Sequence, residues 1–178
     1  YRLRAHEVPS TSRTARGTPI VNLLPLQGAE RIQAVVDTRD YETQRYLFFA
    51  TRLGRIKKTP FTAYDSSLKA GLIAVRLNDG DELVSVVPTS GSDQLFLVSS
   101  RGQTLRISEG EVRSMGRDAA GVRGMRHRDQ DFLVSCIVLH PETMILHLTA
   151  EGYGKRTEPE EFSRRGRGGL GVRGIRVT

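Results

Sequence analysis

The side chains in this sequence best suited to chemistry are its cations, and the chemistry they suit is neutralising phosphate. Lys and Arg number 27 against 20 Asp and Glu, a formal charge of +7. The densest run is Arg164-Arg165-Gly166-Arg167-Gly168-Gly169-Leu170-Gly171. Glycines lack a Cβ and let backbone N–H groups approach phosphate oxygens, while flanking arginines neutralise them. Gly166, Gly168 and Gly171 also fit dinucleotide-loop spacing, but that motif needs a strand–helix unit and none is readable around it. His6, His127, His140 and His147 have no metal-ligand spacing with one another or with Cys136. No Gly-x-Ser-x-Gly elbow and no phosphate-loop Gly-Lys-Ser/Thr occurs. Glu158, Glu160 and Glu161 read as a solvated acidic turn beside an arginine cluster. The expectation is a binding surface with no catalytic residue, metal or cofactor.

Such a surface must be positioned by something regular, and the sequence is periodic. Gly121-Val122-Arg123-Gly124-Met125-Arg126 returns fifty residues later as Gly171-Val172-Arg173-Gly174-Ile175-Arg176. Weaker copies stand at Gly71-Leu72-Ile73-Ala74-Val75-Arg76 and Gly17-Thr18-Pro19-Ile20-Val21. A second marker, a glycine followed four residues on by a cation, keeps the same phase at Gly54/Lys58, Gly102/Arg106 and Gly152/Arg156. A truncated Tyr1-Arg2-Leu3-Arg4 heads the chain, with Arg4 in the cation's place. A period of 20–50 residues is the signature of an array or propeller.

Each repeat holds four short strand-like runs between turns. In one copy they are Asp93–Ser100, Gln103–Ile107, Gly121–Arg126 and Asp131–Leu139. In another they are Tyr46–Thr51, Arg55–Thr59, Gly71–Leu77 and Glu82–Val87. Gly17–Val21 and Arg31–Val36 continue the pattern in the first repeat. The predicted fold is all-β: one domain over 1–178, with repeats at about 1–45, 46–93, 94–142 and 143–178. That makes about three and a half four-stranded blades, packed against one another because a blade cannot bury both faces alone. The chain opens and closes in mid-repeat and reads as part of a longer protein. Its cut edges predict edge-mediated self-association.

The cations keep the repeat's phase. They gather between the second and third runs of each repeat and on the third run itself. The candidate phosphate ligands are Arg4, Arg13 and Arg16; Lys57, Lys58 and Lys69; Arg106, Arg113, Arg117 and Arg123; and Lys155, Arg156, Arg164, Arg165 and Arg167 with Gly168, Gly169 and Gly171. In stacked blades, equivalent positions fall on one side and build a basic rim, the footprint of a duplex backbone. Protective strand-end charge is the plainer reading, and a basic rim for an acidic protein partner is a third. Cys136 lies in an apolar run and reads as a buried structural thiol, and a single cysteine fits a reducing cytoplasm. No stretch is long and apolar enough to cross a bilayer as a helix.

Three stretches carry a family resemblance over essentially the whole chain: Ala50-Thr51-Arg52-Leu53-Gly54-Arg55-Ile56-Lys57-Lys58, Ser114-Met115-Gly116-Arg117-Asp118-Ala119-Ala120-Gly121-Val122-Arg123-Gly124-Met125, and Gly152-Tyr153-Gly154-Lys155-Arg156-Thr157. They resemble the C-terminal domain of the DNA gyrase A subunit (gyrase being a type IIA topoisomerase), particularly its actinobacterial kind. The resemblance implies a six-bladed, propeller-like β-pinwheel that wraps duplex DNA on a basic outer rim. It also implies partnership with the rest of the A subunit, and with the gyrase B subunit, in a cytoplasmic holoenzyme that uses ATP to supercoil DNA. The family's Gln-Arg-Arg-Gly-Gly-Lys-Gly box is matched here by Arg167, Gly168, Gly169 and Gly171, with departures at Arg165, Gly166 and Leu170. The box is therefore read as a secondary, degenerate copy. The equivalent domain of topoisomerase IV shares the fold and stays open as an alternative.

Overall fold

The computed structural model describes residues 1–178 except Ala29, Tyr41, Ser67, Lys69 and Thr178. The strands lie where apolar, β-branched runs end in Gly, Asp or Ser turns. β1 (Tyr46–Thr51), β2 (Arg55–Pro60) and β3 (Leu83–Thr89) are followed by β4 (Gln94–Ser99), β5 (Gln103–Ser108), β6 (Val122–Arg123) and β7 (Leu133–Leu139). β8 (Ile145–Leu148), β9 (Gly154–Thr157) and β10 (Val172–Arg173) complete the set. The other regular elements are short 3-10 turns, among them Phe61–Tyr64, Glu109–Glu111 and Pro159–Glu161, which follow the second strand of each repeat.

Two four-stranded antiparallel sheets share one order, β3-β1-β2-β6 and β7-β4-β5-β10, and β8 pairs with β9 alone. The third strand of each sheet comes from the next repeat. β6 lies between β5 and β7 in sequence, yet it pairs with β2 of the preceding sheet, Ile56 opposite Val122. β10 likewise crosses back to β5, Thr104 opposite Val172. This corrects the assignment of Gly121–Arg126 to the blade that contains Asp93–Leu139. Both sheets present the same hairpin edge, and the connection after the 3-10 turn is long enough to reach the neighbour.

The exchanged strands need glycine. Gly121 and Gly171 have φ of 82° and 75°, and a Cβ on either would press into the carbonyl oxygen of Ile56 or Thr104.

Gly71–Leu77, the equivalent stretch of the second repeat, is not a strand, and neither are Gly17–Val21 and Arg31–Val36. No hairpin edge among the described residues pairs with Gly71–Leu77. The Tyr1 ring lies against Gly71. Among the described residues, 1–45 form two 3-10 turns, Ala5–Glu7 and Ile20–Asn22, and no strand. Among the described residues two blades are formed in full.

β1 and β4 are covered on both faces and are near-continuous apolar runs rather than alternating ones. Phe48, Ala50, Ile56, Leu95, Leu97, Leu105, Met125 and Cys136 fill the seam between the two sheets. Phe49 on the opposite face packs with Leu47 and Phe61, while Phe96 meets Ile145 and Phe162 of the last repeat. The hairpin turns are fastened from a distance. Asp81 accepts from the Thr51 hydroxyl at 2.7 Å and the Leu53 amide at 2.9 Å. Asp131 does the same for Ser99, Ser100 and Arg101. Burial opposes the charge on Asp131, but these hydrogen bonds outweigh it and hold its pKa below the ordinary value.

Candidate nucleic-acid interface

The in-phase cations divide into two groups once the blades are assembled. The first group is consumed between blades. Lys57 and Lys58 are 1% and 6% exposed, so neither stands on a rim. Lys57 Nζ donates to the carbonyls of Ala74, at 2.6 Å, and Arg117, and burial lowers its pKa to about 8. Lys58 Nζ reaches the Glu109 carbonyl at 3.2 Å and lies 3.8 Å from the Glu109 carboxylate, which is wholly buried. Glu109 also accepts from the Thr89 hydroxyl and the Gly91 and Asp93 amides. Arg106, one repeat on from Lys58, donates to the Pro159 carbonyl at 2.8 Å, and Pro159 stands where Glu109 does.

At Lys58 and Arg106 the glycine-plus-four cation is thus a strut from one blade to the 3-10 turn of the next. Two arginines of the connecting loops do similar work. Arg117 donates to the Ile73 carbonyl at 3.3 Å, and Arg167, its equivalent, to the Arg123 carbonyl at 3.1 Å. These placements correct the reading of Lys57 and Lys58 as surface ligands and give Arg106, Arg117 and Arg167 backbone partners within the protein.

The glycines expected to cradle phosphate are also engaged. Gly168 N donates to Gly124 O at 2.5 Å, and Gly169 O accepts from Arg126 N at 2.8 Å. Gly171 makes room for the Thr104 carbonyl. Gly168 and Gly169 thus dock the 164–171 loop through their main chain, and Gly171 through its missing Cβ.

The second group is free at the surface. Arg113, Arg123, Lys155, Arg156, Arg164 and Arg165 are exposed, as are Arg126, Arg173 and Arg176. Several converge at the second seam. The Arg165 amide donates to the Arg106 carbonyl at 2.9 Å, and Met125 bridges Gly169, so Arg123, Arg126, Arg164 and Arg165 are carried on one fastened loop and its base. Arg4, Arg13 and Arg16 are exposed but ride on the strandless first 45 residues, and Lys69 lies outside the described residues. Sequence reasoning passed over Arg55, whose guanidinium donates to the Ala120 carbonyl at 3.0 Å and to the Gly121 carbonyl. It also passed over the buried Glu109, which nothing in its surroundings Ile107-Ser108-Glu109-Gly110 distinguishes from a surface acid.

Cys136 is buried, which pushes its thiol up to about 12 and leaves it unreactive. Among the described residues no three or more of His, Cys, Asp and Glu meet as a metal site, and no helix is long and apolar enough to cross a membrane.

The sequence profile of the family described as DNA gyrase C-terminal domain, beta-propeller, matches residues 1–35, 45–90, 93–140 and 143–178. The A subunit of DNA gyrase from Salmonella typhimurium is 51% identical over 124 residues, 70% of this chain and 14% of that protein. The chain thus spans about one-seventh of the length of such a relative. A solved C-terminal domain of DNA topoisomerase IV superposes with a TM-score of 0.84 at 32% identity, over 94% of this chain and 52% of that one. A solved DNA gyrase A C-terminal domain gives 0.80 at 26% identity, over 96% and 55%.

Proposed function

The chain belongs to the DNA gyrase C-terminal domain family, and from that premise we propose that it binds duplex DNA through its exposed arginines without reading sequence. The observation that carries this is the second seam, where Arg123, Arg126, Arg164 and Arg165 stand exposed on a loop pinned to the neighbouring blade by main-chain hydrogen bonds. Several exposed guanidinium groups on a loop fixed to its neighbour suit a phosphate backbone better than a point ligand. Bending a duplex by 40–90° over 20–30 bp costs on the order of 1–6 kcal/mol, which contacts from successive blades offset. The chain is a non-catalytic DNA-holding part of a cytoplasmic type II topoisomerase. It acts with the rest of the A subunit, and with the gyrase B subunit, in ATP-dependent negative supercoiling. The β8–β9 hairpin has no further strand partner among the described residues, which supports association through its edges.

Binding to a random-sequence linear duplex tests the reading. With six to ten phosphate contacts, affinity falls about 10³–10⁵-fold between about 50 and 200 mM salt. Replacing Arg164 and Arg165 together with Ala flattens the slope of log K against log salt by roughly 1.8, about 0.9 for each phosphate no longer neutralised. No binding at low salt overturns the proposal and points to an acidic protein partner.

The closer superposition on the topoisomerase IV domain favours a second reading, the same role in that enzyme. Relaxed plasmid closed in the presence of the chain separates the two. A linking-number change marks wrapping of the gyrase type, and binding without one marks bending alone.

A further inference from the structure

The loop that carries Arg164 and Arg165 also binds an anion of its own. Three of its backbone N–H groups have acceptors on the preceding repeat. Those of Arg165 and Gly168 go to the carbonyls of Arg106 and Gly124, fixed parts of the seam. That of Arg167 goes to a side chain, Glu111 Oε2, at 2.9 Å. Glu111 is exposed, and its main-chain oxygen accepts from Arg167 Nε at 3.3 Å. The Arg167 amide thus holds an acidic group two and three residues along the loop from the exposed Arg165 and Arg164, a donor that a phosphate group could take in place of the carboxylate.

We propose that Glu111 is a built-in stand-in for phosphate: its carboxylate occupies the Arg167 amide when the chain is free and yields that amide to a DNA phosphate in the complex. This rests on duplex DNA being the ligand. The exchange is nearly balanced, because a solvent-exposed carboxylate hydrogen bond contributes little net stability. The phosphate wins because Arg164 and Arg165 act on it as well. The neighbouring repeats show that the device is local. Ala63 occupies the same place after β2, leaving the loop that carries Arg117 without a carboxylate from that position. Glu161 occupies it in the last repeat and is exposed. Glu161 is therefore a charge-matched control.

Duplex affinity and its salt slope are measured for the chain and for Glu111→Ala, Glu111→Gln and Glu161→Ala. Glu111→Ala is expected to tighten binding at low salt by about threefold more than Glu161→Ala. Its salt slope stays that of the wild type, because the same phosphate takes the amide in both complexes and a neutral N–H releases no counterion. Glu111→Gln loses the charge but keeps an acceptor that competes for the amide, so it tightens binding by less than Glu111→Ala. The Arg167 amide resonance, read by two-dimensional NMR, moves on Glu111→Ala in the free chain and returns toward its original position when duplex is added.

Glu111→Ala matching Glu161→Ala in affinity leaves only net charge and overturns the inference. Weaker binding by both Glu111 variants overturns it too, by making Glu111 an organiser of the loop. Wild-type chain that binds no duplex removes this inference and the proposed function together. Wild-type binding with matched Ala variants removes this one alone.

Discussion

The two loops that cross the seams, 114–121 and 164–171, begin at equivalent positions and are held by different chemistry. Each starts with a parallel bridge to the second strand of the preceding sheet, Ser114 to Lys58 and Arg164 to Arg106. The first is then fixed from beneath by cations: Lys57 holds the Arg117 carbonyl, and Arg55 holds those of Ala120 and Gly121. In the second, Leu105 and Gln103 stand where Lys57 and Arg55 stood. Fixation passes to main-chain pairs with Gly124 and Arg126 and to the Arg167–Glu111 link. The first loop turns its positive charge inward, and the second leaves Arg164 and Arg165 outward. Arg164 and Arg165 stand where Ser114 and Met115 stand in the first loop, whereas the glycine-plus-four cation, one residue class in one phase, builds a joint at Lys58 and Arg106 and a surface at Arg156. What decides is whether a neighbouring backbone carbonyl lies within reach of the cation.

If the first seam is a charged joint, breaking it carries the largest cost. Glu109→Ala leaves the Lys58 ammonium buried without its carboxylate and is expected to destabilise by about 3–5 kcal/mol in urea unfolding. Arg106→Met, which removes the matching strut of the second seam where no carboxylate is involved, is expected to cost about 1–3 kcal/mol. Equal costs would mean that the two joints are equivalent after all. Next in size is the comparison of glycines within the second loop. Gly171→Ala forces a Cβ toward the Thr104 carbonyl at positive φ and should cost about 1–3 kcal/mol, whereas Gly166→Ala, which meets nothing closer than the Glu111 carboxylate, should stay within about 0.5 kcal/mol.

The smallest effect is the dependence of the first seam on pH. Burial lowers the Lys57 pKa to about 8, so from there up to the ordinary lysine value the folded chain binds fewer protons than the unfolded one. Stability contributed by this group therefore rises with pH through that window. The unfolding free energy of the wild type relative to Lys57→Met is expected to rise as pH goes from about 7 to about 9.5. A flat difference would mean the ammonium is not desolvated there.

Much of this architecture can be read along the chain. The Gly121–Arg126 and Gly171–Arg176 pair gives the period, the apolar runs at Tyr46–Thr51 and Gln94–Ser99 give the strands, and the acidic turns at Asp81 and Asp131 fall in step. The candidate surface was legible in part. Arg164 and Arg165 are exposed as their polar, glycine-rich surroundings imply, but Lys57 and Lys58 are buried. A strand that reads Arg55-Ile56-Lys57-Lys58-Thr59 gives no sign of it, since the carbonyls that receive the two ammonium groups lie 17 to 60 residues away. Residues 1–45 mislead for a related reason. Their repeat markers are present, but no hairpin edge among the described residues pairs with them.

By itself the sequence determined the β class, the fifty-residue period, the turn positions and the excess of positive charge, because these depend on residue type and local spacing. The tertiary structure decided which blade each third strand joins and which cations face solvent. A strand edge is satisfied by any hairpin of matching register, and a charge is drawn inward by any carbonyl that packing brings within reach.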